Sequence, residues 1–190
     1  IDLPGEANSI FHKLENVGEV ELATMSFGQS FQITPLQLMR AASAVVNGGT
    51  LVTPHFGKYI TDNNNNIIQT LQYDTESGVI REETSETMKY LLEAVIAEGT
   101  GHNAYLEGYS IGGKTATSEK LPRSSNKYIS SFIGFSPADN PKVMTLILID
   151  EPDGVYYGGT IAAPVVGDIY SNILPYLGID KVEDKIEETN

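Results

Sequence analysis

The stretch YSIGGKTATSEK, residues 109–120, decides how the rest of the chain is read. Its first half is strand-like, and then one cation and two hydroxyls arrive together as Lys114, Thr115, Ala116 and Thr117. Side chains alternate along a strand, so Thr115 and Thr117 share one face while Lys114 and Ala116 take the other. A Lys ammonium is a point charge with three donors, suited to an anion or to a hydroxyl whose proton must move. Backbone N–H groups along an exposed edge can pair with an extended peptide or stabilise an oxyanion. The residues alone leave two readings: an edge that binds an anionic, peptide-like ligand, or an ordinary edge strand that carries Lys against aggregation.

Working outward, YISSFIGFS and KVMTLILIDEP follow this strand after the polar turns LPRSSNK and PADNP, which predicts a three-stranded antiparallel meander. Before it, SETMKYLLEAVIAEGTG reads as a helix capped by Ser85 and ended by Gly99, with Met88, Leu91, Leu92, Val95 and Ile96 as a core stripe. Earlier still, TPLQLMRAASAVVNGG has an N-cap in Thr34, Pro35 at the first helical position and Gly48 as a stop, with Leu38, Ala41, Ala42 and Val45 on the inner face. LVTPHFGKYITD and IIQTLQY, joined by NNNN, predict a hairpin or an excursion from the main body. GGTIAAPVVGDIYSNILPYLGI closes the fold as a helix. The fold class is α+β, an antiparallel sheet flanked by helices.

At 190 residues, one domain with a real core is expected. A net charge of −13 with only 12 scattered basic residues excludes nucleic-acid binding by bulk attraction. With no cysteine, neither a thiolate nucleophile nor a Cys-based metal site is available. His12, His55 and His102 lack metal-ligand spacing, so no metal or cofactor is expected. Asp150 and Glu151 form a carboxylate pair, but nothing else supports a glycosidase. The first residue is Ile1 rather than Met, and the chain reads as a piece of something longer. The segment 179–190 reads as an acidic tail or linker.

The motif series resembles the penicillin-binding proteins. GGKTATSEK at 112–120 is similar to their Lys-Thr-Gly box. IDLPGE at 1–6, SFGQ at 26–29, TPLQL at 34–38, NGGT at 47–50, GTGHNA at 99–104, SFIGFSP at 131–137, IDEP at 149–152 and YYGGTIAAPV at 156–165 keep the family order. The resemblance is greatest to the class B, monofunctional D,D-transpeptidases of division or sporulation, and makes residues 1–178 the C-terminal portion of a transpeptidase domain. It implies the penicillin-binding, serine β-lactamase-like fold and acyl transfer on D-Ala-D-Ala stem peptides, with β-lactams as trapping analogues.

It also implies that Lys114 supplies positive charge to a serine of the second box. Thr115 and Thr117 hold the substrate carboxylate, and the Thr117 N–H forms half of an oxyanion hole. Thr115, Ala116, Thr117 and Ser118 make up the substrate-binding set. The implied parent is membrane-anchored on the extracytoplasmic face, with stem peptides, β-lactams and other cell-wall synthesis proteins as partners.

Two departures stand out. The Ser-x-x-Lys and Ser-x-Asn boxes belong upstream of IDLPGE, so the nucleophile is expected outside this chain and the 190 residues alone are expected to be inactive. Ser124-Ser125-Asn126-Lys127 satisfies both patterns, but it lies in a polar turn rather than at a helix N-terminus and reads as a chance match. The second departure is Ala116, where the family has Gly. A natural variant, altered β-lactam access and a degenerate relative all remain open, with the first favoured because Lys114, Thr115 and Thr117 remain. The alternative function is an inactive, structural or sensory cell-wall module. A serine β-lactamase or penicillin sensor is a third, less favoured class.

Overall fold

The computed structural model describes residues 1–2 and 4–181, arranged as two compact units, Ile1–Arg81 and a second from Glu82 onward. Most of the acidic tail expected at 179–190 lies outside the described residues.

In the first unit, a short helix α1 (Glu19–Met25) buries none of its residues. Helix α2 (Pro35–Val46) starts as the sequence predicts: the Thr34 hydroxyl accepts the Gln37 N–H at 3.2 Å and Pro35 opens the first turn. Of its expected inner face Leu38, Ala42 and Val45 are half-buried and Ala41 is exposed, while Ala44 and Val46 are the fully buried residues. Four short strands follow, β1 (Thr50–Val52), β2 (Tyr59–Thr61), β3 (Ile67–Thr70) and β4 (Thr75–Ser77). β2 and β3 form the hairpin expected around the Asn run, while β1 pairs with β4 across it. The Asp2 carboxylate pins the N-terminal segment to this region. It accepts the N–H groups of Phe56 (2.9 Å) and Gly57 (2.8 Å) and the Tyr73 hydroxyl (3.0 Å).

The second unit opens with α3 (Glu82–Ala97), which begins three residues before the predicted cap. Ser85 is therefore not a cap but a buried residue inside the helix, and Glu82 and Glu83 supply the negative first turn that suits the helix dipole. Of the expected stripe, Ile96 is buried, Met88, Leu92 and Val95 are half-buried and Leu91 is half-exposed, while Ser85 and Lys89 are buried as well. Lys89 can lie inward because its stem is apolar and its ammonium finds partners: the Asp139 carbonyl at 2.5 Å and the Glu86 carboxylate at 2.8 Å.

The predicted meander is present as β5 (Gly112–Glu119), β6 (Tyr128–Ser136) and β7 (Val143–Asp150), antiparallel in the order β5-β6-β7. The closing helix is broken at Ala162 into α4 (Gly158–Ile161) and α5 (Ala163–Tyr176), with Pro164 in the first turn of α5. α5 packs Val166, Tyr170 and Leu174 against Phe132, all fully buried, and each such apolar side chain contributes about 1.5–3 kcal/mol. The Tyr170 hydroxyl donates to the Gly134 carbonyl at 2.8 Å, so burial of that phenol leaves no polar group unpaired. Two glycines open β5 because aromatic rings of the next strand lie over its backbone. A Cβ at Gly112 would stand 2.2 Å from the Phe135 ring, and one at Gly113 would stand 2.6 Å from the Phe132 ring.

Candidate active site

β5 is an edge strand, and its alternation matches the sequence reading: Lys114, Ala116 and Ser118 are exposed, while Thr115, Thr117 and Glu119 are half-buried. The half-buried face meets the α4 turn and the loop after α3. The Thr115 and Thr100 hydroxyls are hydrogen-bonded at 3.1 Å. The Gly158 N–H donates to the Thr117 hydroxyl at 3.1 Å. Asn103 donates its side-chain amide to the Gly159 carbonyl at 2.8 Å.

Close approach is possible only because positions 158 and 159 carry no side chain. A Cβ on Gly158 would sit 2.3 Å from the Ala116 and Ser131 carbonyl oxygens, and one on Gly159 would sit 2.5 Å from the Thr100 carbonyl. Thr100, Thr115, Ala116, Thr117, Tyr157 and the turn Gly158–Gly159–Thr160 together line a cleft of about 360 Å³.

The structure thus brings three of the predicted residues, Thr115, Ala116 and Thr117, into one cleft. Lys114 and Ser118 lie on the opposite, exposed face of the same strand, and the Lys114 ammonium donates to the Thr115 carbonyl at 2.7 Å. Ser124 lies in a 3-10 turn (Arg123–Ser125) within the β5–β6 connection, not at the start of a helix that could orient a nucleophile. His12 and His55 belong to the first unit; His102 is exposed, with its Nδ1 3.1 Å from the Ile96 carbonyl. Among the described residues no group of three or more His, Asp or Glu side chains is placed to hold a metal ion. Asp150 and Glu151 are engaged by lysines rather than facing each other across a cleft.

Sequence reasoning missed Thr100, Tyr157 and the Gly158–Gly159 turn as cleft residues. The signal for the last two was the run YYGG. Tyr128 stacks on Tyr156 with ring centroids 4.0 Å apart and planes 7° from parallel, and Tyr156 meets Tyr157 at 4.7 Å. A hydrogen bond with Tyr156 holds the Tyr157 phenol above its ordinary pKa, so it stays neutral. The Ser130 hydroxyl, fully buried, donates to the Tyr156 carbonyl and fastens this aromatic series to the sheet.

The site is therefore an open strand edge beside a small cleft. Threonine hydroxyls and an aromatic flank line the cleft, the Lys114 ammonium lies on the other face of the strand, and among the described residues no His, Asp or Glu lines the cleft.

Comparison with known proteins identifies the family. Residues 1–171 match the family described as "Transpeptidase: Penicillin binding protein transpeptidase domain". Stage V sporulation protein D of Bacillus subtilis (strain 168) is 46% identical over 193 residues, spanning 99% of this chain and 30% of that protein. The probable peptidoglycan D,D-transpeptidase PenA of Neisseria flavescens is 35% identical over 183 residues, spanning 93% of this chain and 42% of that protein. Among solved structures, the apo TP domain of Burkholderia pseudomallei penicillin-binding protein 3 superposes with a TM-score of 0.78 at 30% identity, over 95% of this chain and 54% of that one. The chain thus spans less than half the length of these two curated relatives. With the family match running through both units and across the β5 cleft, the chain belongs to the penicillin-binding protein transpeptidase domain family.

Proposed function

We propose that the chain forms one wall of the substrate cleft in a class B peptidoglycan D,D-transpeptidase. The observation that carries this reading is the open edge strand β5, whose Thr115, Ala116 and Thr117 line the cleft beside Thr100 and Tyr157. An extended stem peptide ending in D-Ala-D-Ala pairs with that edge as an added strand. Its terminal carboxylate is held by the Thr115 and Thr117 hydroxyls, and Ser118 extends the substrate-binding set.

A serine contributed by the parent outside these residues attacks the penultimate D-Ala carbonyl. The terminal D-Ala leaves, and the amine of a second stem peptide resolves the ester. Lys114 supplies the positive charge that eases proton movement at a neighbouring serine, and the Thr117 N–H takes half of the developing oxyanion charge. β-Lactams enter the same cleft as analogues of the D-Ala-D-Ala end. The parent works at the extracytoplasmic face of the membrane with other cell-wall synthesis proteins. Among the described residues no helix is long and apolar enough to cross a membrane, so the anchor in this reading belongs to another part of the parent.

A second reading, a penicillin-binding-like module without catalysis, is favoured by Ala116 alone. Labelling with a fluorescent penicillin separates the two. The full-length parent takes up label covalently, Lys114→Ala in the parent lowers the labelling rate by about a hundredfold or more, and the 190-residue chain alone stays unlabelled. A parent that takes no label would overturn the enzymatic reading. Stoichiometric labelling of the isolated chain would show that Ser124 is a nucleophile after all.

A further inference from the structure

The far end of β5 is held by charges. Lys120, immediately after the strand, pairs with Asp150 at 2.9 Å and with Glu151 at 2.7 Å. The second oxygen of Glu151 pairs with Lys127 at 2.5 Å. Lys120 and Lys127 bracket the β5–β6 connection, whose base is closed by the Lys120 N–H donating to the Lys127 carbonyl at 2.8 Å. One carboxylate therefore bridges both ends of that connection. Mutual hydrogen bonding raises the pKa of Lys120 and lowers that of Glu151, so both stay charged through the neutral range.

The backbone of Glu151 has φ +49, a left-handed conformation that Asn or Gly adopts at less cost than Glu. A Glu at such a position is unfavourable for the backbone, and here its side chain makes the contacts that an Asn is too short to make. Its N–H donates to the Tyr128 carbonyl at 2.9 Å. Tyr128 in turn carries the stacked ring of Tyr156, which precedes Tyr157 in the cleft and Gly158 on the Thr117 hydroxyl.

We infer that Glu151 is a positioning residue for the acyl-transfer site: by bridging Lys120 and Lys127 it clamps the base of the β5–β6 connection and holds Tyr128, Tyr156 and Tyr157 in place beside the threonines. This rests on the transpeptidase reading above. The clamp acts through geometry and touches no substrate. Because its charges are partly exposed, salt weakens it, and the geometry of the cleft's aromatic flank follows.

The test has two arms. In the full-length parent, acylation by a fluorescent penicillin is followed at low and high salt for wild type, Glu151→Gln and Glu151→Asn. Glu151→Gln lowers the acylation constant about three- to tenfold and makes it less salt-dependent than wild type. Glu151→Asn, which suits the backbone better, loses as much. In the 190-residue chain, amide exchange at 121–127 accelerates in Glu151→Gln while exchange at 132–135 does not change.

Wild-type acylation in Glu151→Asn would overturn the inference, because the backbone conformation alone would then suffice. Unchanged exchange at 121–127 in Glu151→Gln would overturn it as well. If the wild-type parent takes no penicillin at all, the transpeptidase reading fails, and the exchange arm still decides whether the clamp exists.

Discussion

The Thr117 hydroxyl accepts a 3.1 Å hydrogen bond from the Gly158 N–H, which ties a residue of the edge strand to the first residue of α4. Forty-one positions separate the two in sequence, and the bond fixes how far the Thr117 oxygen can swing into the cleft.

Gly158→Ala breaks that approach. The added methyl meets two backbone carbonyls at 2.3 Å, and backbone cannot rotate away as a flexible side chain would. Urea unfolding of the variant is expected to show a loss of about 1–3 kcal/mol, the usual cost of overpacking.

Ala116→Gly is expected to lower stability by about 0.5–1 kcal/mol, because a glycine in a strand loses more backbone freedom on folding. Thermal unfolding reads this. The acylation rate of the same variant in the parent, measured in parallel, decides whether the methyl narrows the cleft.

Asp2 gives the first unit a signature at acid pH. N–H groups of Gly57 and Phe56 hold its pKa down from 3.8 to about 2. The folded pKa is depressed, so the stabilisation is present above the unfolded value and is lost as pH falls through the folded one. The difference in stability between wild type and Asp2→Asn is therefore expected to be constant at neutral pH and to shrink between about pH 4 and pH 2. Urea titrations across that window check it.

Tyr170 gives the second unit a signature at alkaline pH. Burial raises its phenol from 10.0 to about 12, against hydrogen bonds from Thr145 that pull the other way. With a raised folded pKa, the stabilisation is complete below the unfolded value and is lost as pH rises through the folded one. Tyr170→Phe is expected to cost about 1–2 kcal/mol at neutral pH by leaving the Gly134 carbonyl without its hydroxyl partner. The variant shows a smaller fall in stability than wild type between about pH 10 and pH 12.

Much of this was legible in the residues. Thr34 and Pro35 announce a helix start through local chemistry that needs no tertiary context. The alternation through Lys114, Thr115, Ala116 and Thr117 follows from the strand period alone, and the exposure pattern of β5 repeats it.

What was not legible depended on contacts between distant segments. Four residues of the expected α3 stripe do face inward, and only Leu91 was misplaced; what the sequence hid was the burial of Lys89 beside them. That burial depends in part on the carbonyl of Asp139, fifty positions on, which receives the ammonium together with the nearby Glu86 carboxylate. The pairing of β1 with β4 skips an intervening hairpin, so no turn between neighbours signals it. Thr100 and Tyr157 join Thr115 because two glycines let a turn lie against a strand. A glycine pair in a sequence does not say which backbone it will meet.

The two glycines that open β5 carry a further consequence. Phe135 and Phe132 occupy the space that side chains at 112 and 113 would need, so the strand is seated by close packing at its start. Its other end is held by solvent-facing lysines and carboxylates. β5 is thus fastened by two different forces, dry packing at its root and salt-sensitive charge pairs at its tip, with Thr115, Ala116 and Thr117 between them. Added salt is therefore expected to loosen the tip of β5 before its root.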